Sequence, residues 1–264
     1  MLGIRRCEGI RELALVPRAR TDCKRNPACN TIRMNSKYLT NYNNPASFGS
    51  RMRARRMAPL VGLISRVHEQ KGKVSILDVG GRETYWKALP SEFLERHEVS
   101  ITILNLPCEL TGENSKIFTY AVGDACDMAQ YPDHSFDIVH SNSVIEHVGN
   151  WDRIKVFAKE VRRIAPHLFV QTPYFWFPIE PHFIMLMHHW LPKPWRAALW
   201  MRFNMGQRGR AKNIDEAMSQ LDDEPYLLDR RMFRFLFPDC RIIRERFLLF
   251  TKSMVALREG TNGV

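Results

Sequence analysis

Short, largely apolar runs recur along the middle of the chain and predict strands, and the first of them suits a strand that is buried on both faces of a sheet. The five runs lie at 74–79, 100–105, 117–122, 136–140 and 167–171. Between them, apolar residues three and four positions apart predict amphipathic helices at 59–71, 85–97 and 151–164. The first of these helices begins near Ser47 or at Pro59, and Pro90 divides the second into two pieces. Strand and helix in alternation are typical of right-handed βαβ units, so we predict an α/β fold with a parallel sheet.

This alternation stops after Thr172-Pro173. Residues 174–212 are dense in aromatic, methionine, proline and basic side chains, which indicates an insertion over the ligand-binding edge of the sheet. Two helices are predicted after it, at 214–221 and 227–237. The runs at 241–248 and 253–257 then close the sheet as a hairpin.

The first apolar run ends in an acid and two adjacent glycines, Asp78, Gly80 and Gly81. Glycines let the backbone come close to a bound molecule, and ligands of open α/β sheets lie beyond the carboxyl ends of the strands. We therefore predict a nucleotide-like ligand at this loop. The residues after Gly81 do not complete the G-x-G-x-x-G pattern, so a nicotinamide cofactor is not expected.

The net charge of +11 is concentrated near the N-terminus, where residues 1–56 hold 13 Lys and Arg against three acids. We predict that residues 1–46 form a basic, flexible arm and that residues 47–264 form the folded domain. The arm could bind phosphates or anionic lipid, but a solvated tail is the simpler interpretation. None of the six cysteines forms a C-x-x-C pair, which argues against a disulfide framework or a zinc site. A cytoplasmic location is expected.

Five short motifs occur in an order and at a spacing that resembles class I S-adenosylmethionine-dependent methyltransferases of the type 11 group. They are Leu77-Asp78-Val79-Gly80, Val122-Gly123-Asp124-Ala125, Ser135-Phe136-Asp137-Ile138-Val139, Ser143-Val144-Ile145-Glu146-His147-Val148 and Gln171-Thr172-Pro173. The resemblance covers roughly residues 60–175. It implies a Rossmann-like fold with a mostly parallel seven-stranded sheet, a C-terminal hairpin and a lid inserted after strand 5. It also implies S-adenosylmethionine as the cofactor.

The same resemblance implies where the cofactor lies. The first loop would hold its methionine part, Asp124 would accept a hydrogen bond from the adenine amino group, and Ala125 would lie beside the ring. A turn residue is the alternative interpretation of Asp124. Asn105 replaces the acid that the family uses for the ribose hydroxyls, so part of a charge-assisted hydrogen bond is lost and modest affinity is expected. The complete expected set is Asp78, Gly80, Gly81, Asn105, Asp124, Ala125 and Ser141.

Methyl transfer requires alignment of the acceptor and, for an alcohol, removal of its proton. Histidine titrates near neutrality and suits the second task. His147 is the first candidate, with Glu146 beside it and His182 in the insertion. Roles in the local backbone or in loop polarity are the alternatives for these residues. Ser143 stands where some metal-dependent members carry the first acid of E-x-x-E-H, so a divalent metal is not favoured.

The aromatic and basic residues of the insertion indicate what kind of acceptor the protein binds. Aromatic faces stack on sugar rings or lie at a membrane interface, and cations bind phosphate groups, although a simple lid core explains the aromatic residues equally well. The tract at 172–183 resembles bacterial methyltransferases of glycans and glycolipids, nearest to the fucose 2-O-methyltransferases of nodulation factors. We therefore expect O-methylation of a sugar hydroxyl, with peripheral membrane contact left open. The alternatives are a nucleic-acid or small-molecule methyltransferase, or a non-catalytic binding module. Nucleic acid is disfavoured because residues 57–264 are almost neutral.

Overall fold

The computed structural model describes residues 48–107, 109–110, 112–180, 185–205 and 209–260. The chain divides into two compact units, Met1–Ser50 and Arg51–Val264, and the sheet and its flanking elements belong to the second. The predicted arm at 1–46 lies outside the described residues, and so does His182.

Nine strands occur in the described part of the chain, and seven of them form one sheet. They are β1 (Val74–Val79), β2 (Val99–Asn105), β3 (Phe118–Val122), β4 (Ile138–Asn142), β5 (His167–Pro173), β6 (Ile179–Glu180), β7 (Met185–Leu186), β8 (Arg241–Phe247) and β9 (Phe250–Arg258). The order in the sheet is β3-β2-β1-β4-β5-β9-β8, with β1 to β5 parallel and β9 antiparallel to both of its neighbours. This confirms the predicted class I methyltransferase topology with its C-terminal hairpin. Strand order reverses between β1 and β4, which makes their carboxyl ends the expected ligand site.

Seven α-helices flank the sheet or build the lid in the same described residues. They are α1 (Phe48–Lys71), α2 (Glu83–Trp86), α3 (Ser91–Arg96), α4 (Trp151–Ile164), α5 (Lys193–Arg202), α6 (Ile214–Asp222) and α7 (Arg230–Leu236). Single 3₁₀ turns lie at Ile145–His147 and His188–Trp190. α1 begins directly after Ser47 and continues through Pro59. The break at Pro90 separates α2 from α3, as predicted.

A hydrophobic core lies on each face of the sheet, and the side chains of β1 enter the two cores alternately because successive strand side chains point to opposite faces. Leu77 and Val79 pack with α4 and α7 on one face, and Val74 and Ile76 pack with α1, α2 and α3 on the other. α4 keeps the predicted bounds. The Asn150 side chain accepts a hydrogen bond from the backbone N–H of Arg153 and so caps its first turn.

The lid has a small core of its own, built from α5, α6 and the segment between them. Its fully buried members are Ala197, Trp200, Met205, Ala211, Ala217 and Leu221. The Trp200 indole N–H donates to the carbonyl oxygen of Gly209 over 3.0 Å, which ties α5 to that segment. Since Ala217 and Leu221 belong to this core, the lid extends past residue 212 to the end of α6. Among the described helices, none is both long and apolar enough to cross a membrane.

Candidate functional site

The loop after β1 requires both of its glycines. Gly80 has φ +69°, and a Cβ placed on it would lie 2.6 Å from a methyl carbon of Val144. A Cβ on Gly81 would lie 1.8 Å from Oδ2 of Asp78. The Gly80 N–H donates to the Leu104 carbonyl oxygen over 2.7 Å, which joins the loop to β2. A side chain at either position would clash with the neighbouring Val144 or Asp78 side chain, so the packing of the loop favours glycine at both.

The carboxylate of Asp78 lies beneath this loop and is completely buried. Its Oδ2 accepts a hydrogen bond from the Trp86 indole N–H over 2.7 Å, and its Oδ1 lies 2.6 Å from Nδ1 of His140. Because both oxygens have internal partners and neither is exposed, Asp78 fixes the loop and presents no oxygen to a ligand. This differs from the predicted direct contact with the cofactor. No pattern in the sequence indicates that Trp86 and His140 contact this carboxylate.

A cavity of about 610 Å³ lies over the carboxyl ends of β1 and β4, at the predicted edge of the sheet. It is lined by Gly80, Gly81, Arg82, Thr84, Tyr85, Asn105, Glu109, His140, Asn142, Ser143, Val144 and His147. We call it the cofactor cavity, because its size falls in the range of small-molecule sites and its floor is the glycine loop. Asn105 lines it and donates from Nδ2 to the Gly81 carbonyl oxygen over 2.7 Å. Of the expected cofactor residues, Gly80, Gly81 and Asn105 are brought together here.

Three other expected cofactor residues lie elsewhere. Asp124 binds the guanidinium of Arg153 with both oxygens, at 2.8 and 3.0 Å, and neither it nor Ala125 lines the cofactor cavity. Partial burial opposes ionisation of Asp124, but the hydrogen bonds from Arg153 and from the Cys126 backbone lower its pKa. Ser141 is fully buried because β4 runs on to Asn142, and its hydroxyl donates to the Val79 carbonyl oxygen over 3.1 Å.

A second cavity, of about 860 Å³, adjoins the first at the 3₁₀ turn Ile145–His147. We call it the acceptor cavity. It lies under the lid and is lined by Glu146, His147, Gly149, Asn150, Phe175, Trp176, His189, Lys193, Arg196, Leu221, Asp222, Asp223, Glu224, Pro225, Tyr226, Leu227, Asp229 and Met232. Within the described part of the chain, His147 is the one residue that lines both cavities.

The two adjacent candidates for catalysis differ in exposure. His147 is exposed at the boundary between the cavities, and its backbone N–H donates to the Val144 carbonyl oxygen over 2.8 Å. The Glu146 side chain is 1% exposed, and its Oε2 accepts a hydrogen bond from the Thr172 hydroxyl over 3.1 Å. The Glu146 carbonyl oxygen also accepts from the Tyr226 N–H over 2.7 Å, so this turn is tied to the far wall of the acceptor cavity.

Both cations of the acceptor cavity are paired with carboxylates, but the cavity as a whole is acidic, because five acidic residues and only two basic ones line it. Lys193 Nζ lies 2.6 Å from a carboxylate oxygen of Asp222, and Arg196 forms an ion pair with Glu224. His189 Nε2 lies 2.7 Å from the Phe175 carbonyl oxygen and donates to it. The wall therefore combines aromatic rings with an excess of carboxylates. The sequence predicted this wall only within residues 174–212. Residues 221–232 also contribute to it, but nothing in their sequence pattern shows that they fold back to the 3₁₀ turn at Ile145–His147.

No group of three or more His, Cys, Asp or Glu side chains that could hold a metal ion occurs in the ranges that the structure describes. Ser143, which stands where metal-dependent relatives carry an acid, donates from its hydroxyl to the Gln171 amide oxygen over 2.8 Å. This residue is therefore engaged in holding β4 to β5.

Residues 85–166 match the family model described as a methyltransferase domain. No curated protein matched the chain. Similar solved structures include an O-methyltransferase family protein from Burkholderia thailandensis, with 11% identity and a TM-score of 0.43, over 87% of this chain and 64% of that one. The chain thus spans less than two thirds of that protein. Magnesium protoporphyrin IX methyltransferase from Synechocystis PCC 6803, with bound SAH, is similar over 87% of this chain and 100% of that one, at 10% identity and a TM-score of 0.45.

The protein PH0226 from Pyrococcus horikoshii OT3 is similar over 88% of this chain and 99% of that one, at 12% identity and a TM-score of 0.45. The sheet order is that of the class I methyltransferase fold, and the match to a methyltransferase domain covers residues 85–166, less than half of the chain. The cofactor of such a domain is S-adenosylmethionine.

Proposed function

We propose that this protein is an S-adenosylmethionine-dependent methyltransferase that methylates a sugar hydroxyl on a glycan or glycolipid. The observation that supports this most is the position of His147 on the boundary of both cavities. Donor and acceptor would meet at this side chain. A two-substrate reaction needs such a shared wall, because the reacting atoms must approach to about 3 to 3.5 Å in line.

When held in the cofactor cavity by the loop of Gly80 and Gly81 and by Asn105, S-adenosylmethionine would supply an electrophilic methyl carbon on its sulfonium. The acceptor oxygen forms a bond to that carbon as the carbon–sulfur bond breaks, which leaves a methyl ether and the thioether S-adenosylhomocysteine. The hydroxyl proton must also leave, and the His147 imidazole takes it. Glu146 is buried against Thr172 and holds the turn that carries His147, so we assign it a positioning role.

The aromatic residues of the acceptor wall support a polyhydroxylated ligand without negative charge. Phe175, Trp176 and Tyr226 supply aromatic faces for sugar rings, and Trp176 is 53% exposed. Because the Lys193 and Arg196 cations already have carboxylate partners and further acids line the wall, the cavity does not select an anionic molecule. The 2-hydroxyl of a fucose on a nodulation factor is one acceptor of this kind.

Transfer of a labelled methyl group to a panel of glycans, glycolipids, RNA and phenols tests the proposal. His147→Ala should lower turnover by about 10² to 10⁴ fold, the usual contribution of general acid–base catalysis, with cofactor affinity nearly unchanged in calorimetry. His68→Ala, on α1, is the matched control and should keep full activity.

His182→Ala should be measured in the same assay, because the sequence offers it as a second base. Full activity in His147→Ala with loss in His182→Ala would transfer the role to His182. Label found only on RNA or phenols would refute the glycan assignment, and no cofactor binding at all would refute the enzyme itself.

A further inference from the structure

The hairpin between β8 and β9 ends in an unusual turn. Phe247 pairs with Phe250, so Leu248 and Leu249 form a two-residue turn. Leu248 has φ +52°, in the left-handed region. Glycine, asparagine and aspartate normally occupy such turns because they tolerate positive φ and hydrogen-bond to water. Two leucines here are unfavourable both for the backbone and for solvation.

These turn residues are almost fully exposed. Leu248 is 81% exposed, Leu249 94% and Phe250 51%. β9 runs antiparallel to β5, with Ser253 opposite Pro173, so the turn projects beyond the carboxyl edge of the parallel strands. Both cavities lie at this same edge.

A ring contact links the strand before the turn to the lid. Phe177 contacts the Phe247 ring edge to face, with centroids 6.4 Å apart, and two residues later Ile179 pairs with Leu186. Ile179 and Leu186 are 38% and 65% exposed. Together with the turn they form a rim at the cavity edge, which we call the apolar rim: Ile179, Leu186, Leu248, Leu249 and Phe250.

Positive charge lies directly behind this rim. Arg244 and Arg246 are exposed while Glu245 between them is half-buried, so both arginines face solvent although the strand pairing is irregular between Glu245 and Arg246. Glu245, on the other face, is held by Arg56 at 2.9 Å and does not compensate them. A narrow apolar tip with cations behind it is complementary to an anionic bilayer, where the tip enters the acyl region and the guanidiniums meet the headgroups.

We propose that the apolar rim docks this protein on an anionic lipid surface, with the cavity edge turned towards the membrane. A second copy of the chain is a weaker fit, because a stable protein interface needs about 800 Å² from each partner and a projecting two-residue turn cannot supply it. The proposal does not depend on the proposed activity. It adds a means of reaching lipid-linked acceptors.

Co-sedimentation of the full chain with phosphatidylcholine vesicles that contain phosphatidylglycerol tests this directly. The double variant Leu248→Gly/Leu249→Asn supplies residues that suit the turn, so its melting temperature should be equal or higher. Its vesicle binding should nevertheless fall by about tenfold for each leucine. A fold defect would change both quantities in the same direction, so the opposite signs identify a surface effect.

Two further variants sharpen the result. Arg244→Gln/Arg246→Gln should weaken binding to anionic vesicles by about fivefold for each arginine and should reduce its salt dependence. Val156→Asn, at an exposed apolar position of α4, is the control and should bind like the parent. Binding that survives in the leucine variant would assign attachment to the basic residues 1–46 and overturn the proposal. Absence of vesicle binding by the parent, or a change of oligomeric state in the leucine variant, would overturn it as well.

Discussion

Replacing Gly80 with alanine tests whether the glycine loop is built as described. Gly80 has φ +69°, and its missing Cβ would lie 2.6 and 2.7 Å from the two methyl carbons of Val144. Left-handed backbone costs a residue with a Cβ about 1 to 2 kcal/mol, and overpacking adds about 1 to 3 kcal/mol. We therefore expect Gly80→Ala to lose about 2 to 5 kcal/mol of unfolding free energy, which lowers the melting temperature by about 5 to 15 °C.

Val144→Ala separates the two contributions, because it removes both methyl groups that a Cβ at position 80 would meet. In the double variant the overpacking should largely disappear, while the backbone cost of about 1 to 2 kcal/mol remains. Urea denaturation of the four proteins gives the coupling energy. Calorimetry with S-adenosylmethionine should show weaker binding in Gly80→Ala, since the displaced loop lines the cofactor cavity.

Two results would refute this account of the loop. A melting temperature of Gly80→Ala within about 1 °C of the parent would mean that the loop moves away at negligible cost. Strictly additive effects of the two substitutions would mean that the Cβ at position 80 never meets Val144.

Two further predictions concern buried carboxylates. Asp78→Asn should destabilise the fold by about 2 to 4 kcal/mol, because the single oxygen of the asparagine amide cannot replace both carboxylate oxygens that contact Trp86 and His140. An unchanged unfolding midpoint in urea would contradict this. Burial opposes ionisation of Asp137, but hydrogen bonds from Lys71 and Ser75 lower its pKa. The ionised carboxylate therefore stabilises the fold fully above the pKa of the unfolded chain, about 4. This stabilisation is lost as the pH falls through the lower pKa of the folded state. Between pH 5 and pH 2 the parent should lose more stability than Asp137→Asn, and parallel curves would show that Asp137 contributes nothing.

The arrangement of the sheet could be predicted because each strand is a distinct apolar run and α4 has a regular apolar face. Local patterns of this kind need no partner to be recognised. A proline predicted the helix boundary correctly at Pro90, where the helix is interrupted. Pro59 was a less reliable guide, because α1 continues through it.

The site could be predicted only where backbone conformation decides it. Gly80 and Gly81 line the cofactor cavity because a strand followed by glycines dictates a close approach. Asp124 depends instead on Arg153, which lies 29 positions away on α4 and takes both of its oxygens. A contact between distant residues leaves no periodic signal in one sequence, so the adenine contact expected of Asp124 remains a prediction that this geometry does not support.

The shared position of His147 separates the two cavities along the chain as well as in space. The described residues that line the cofactor cavity lie between Gly80 and His147, and those of the acceptor cavity lie between Glu146 and Met232. A crossover at the 3₁₀ turn would therefore exchange almost the whole acceptor wall and leave the donor half intact. Recombination between relatives at this one point could produce new acceptor preferences in a single step, without rebuilding the cofactor half of the protein.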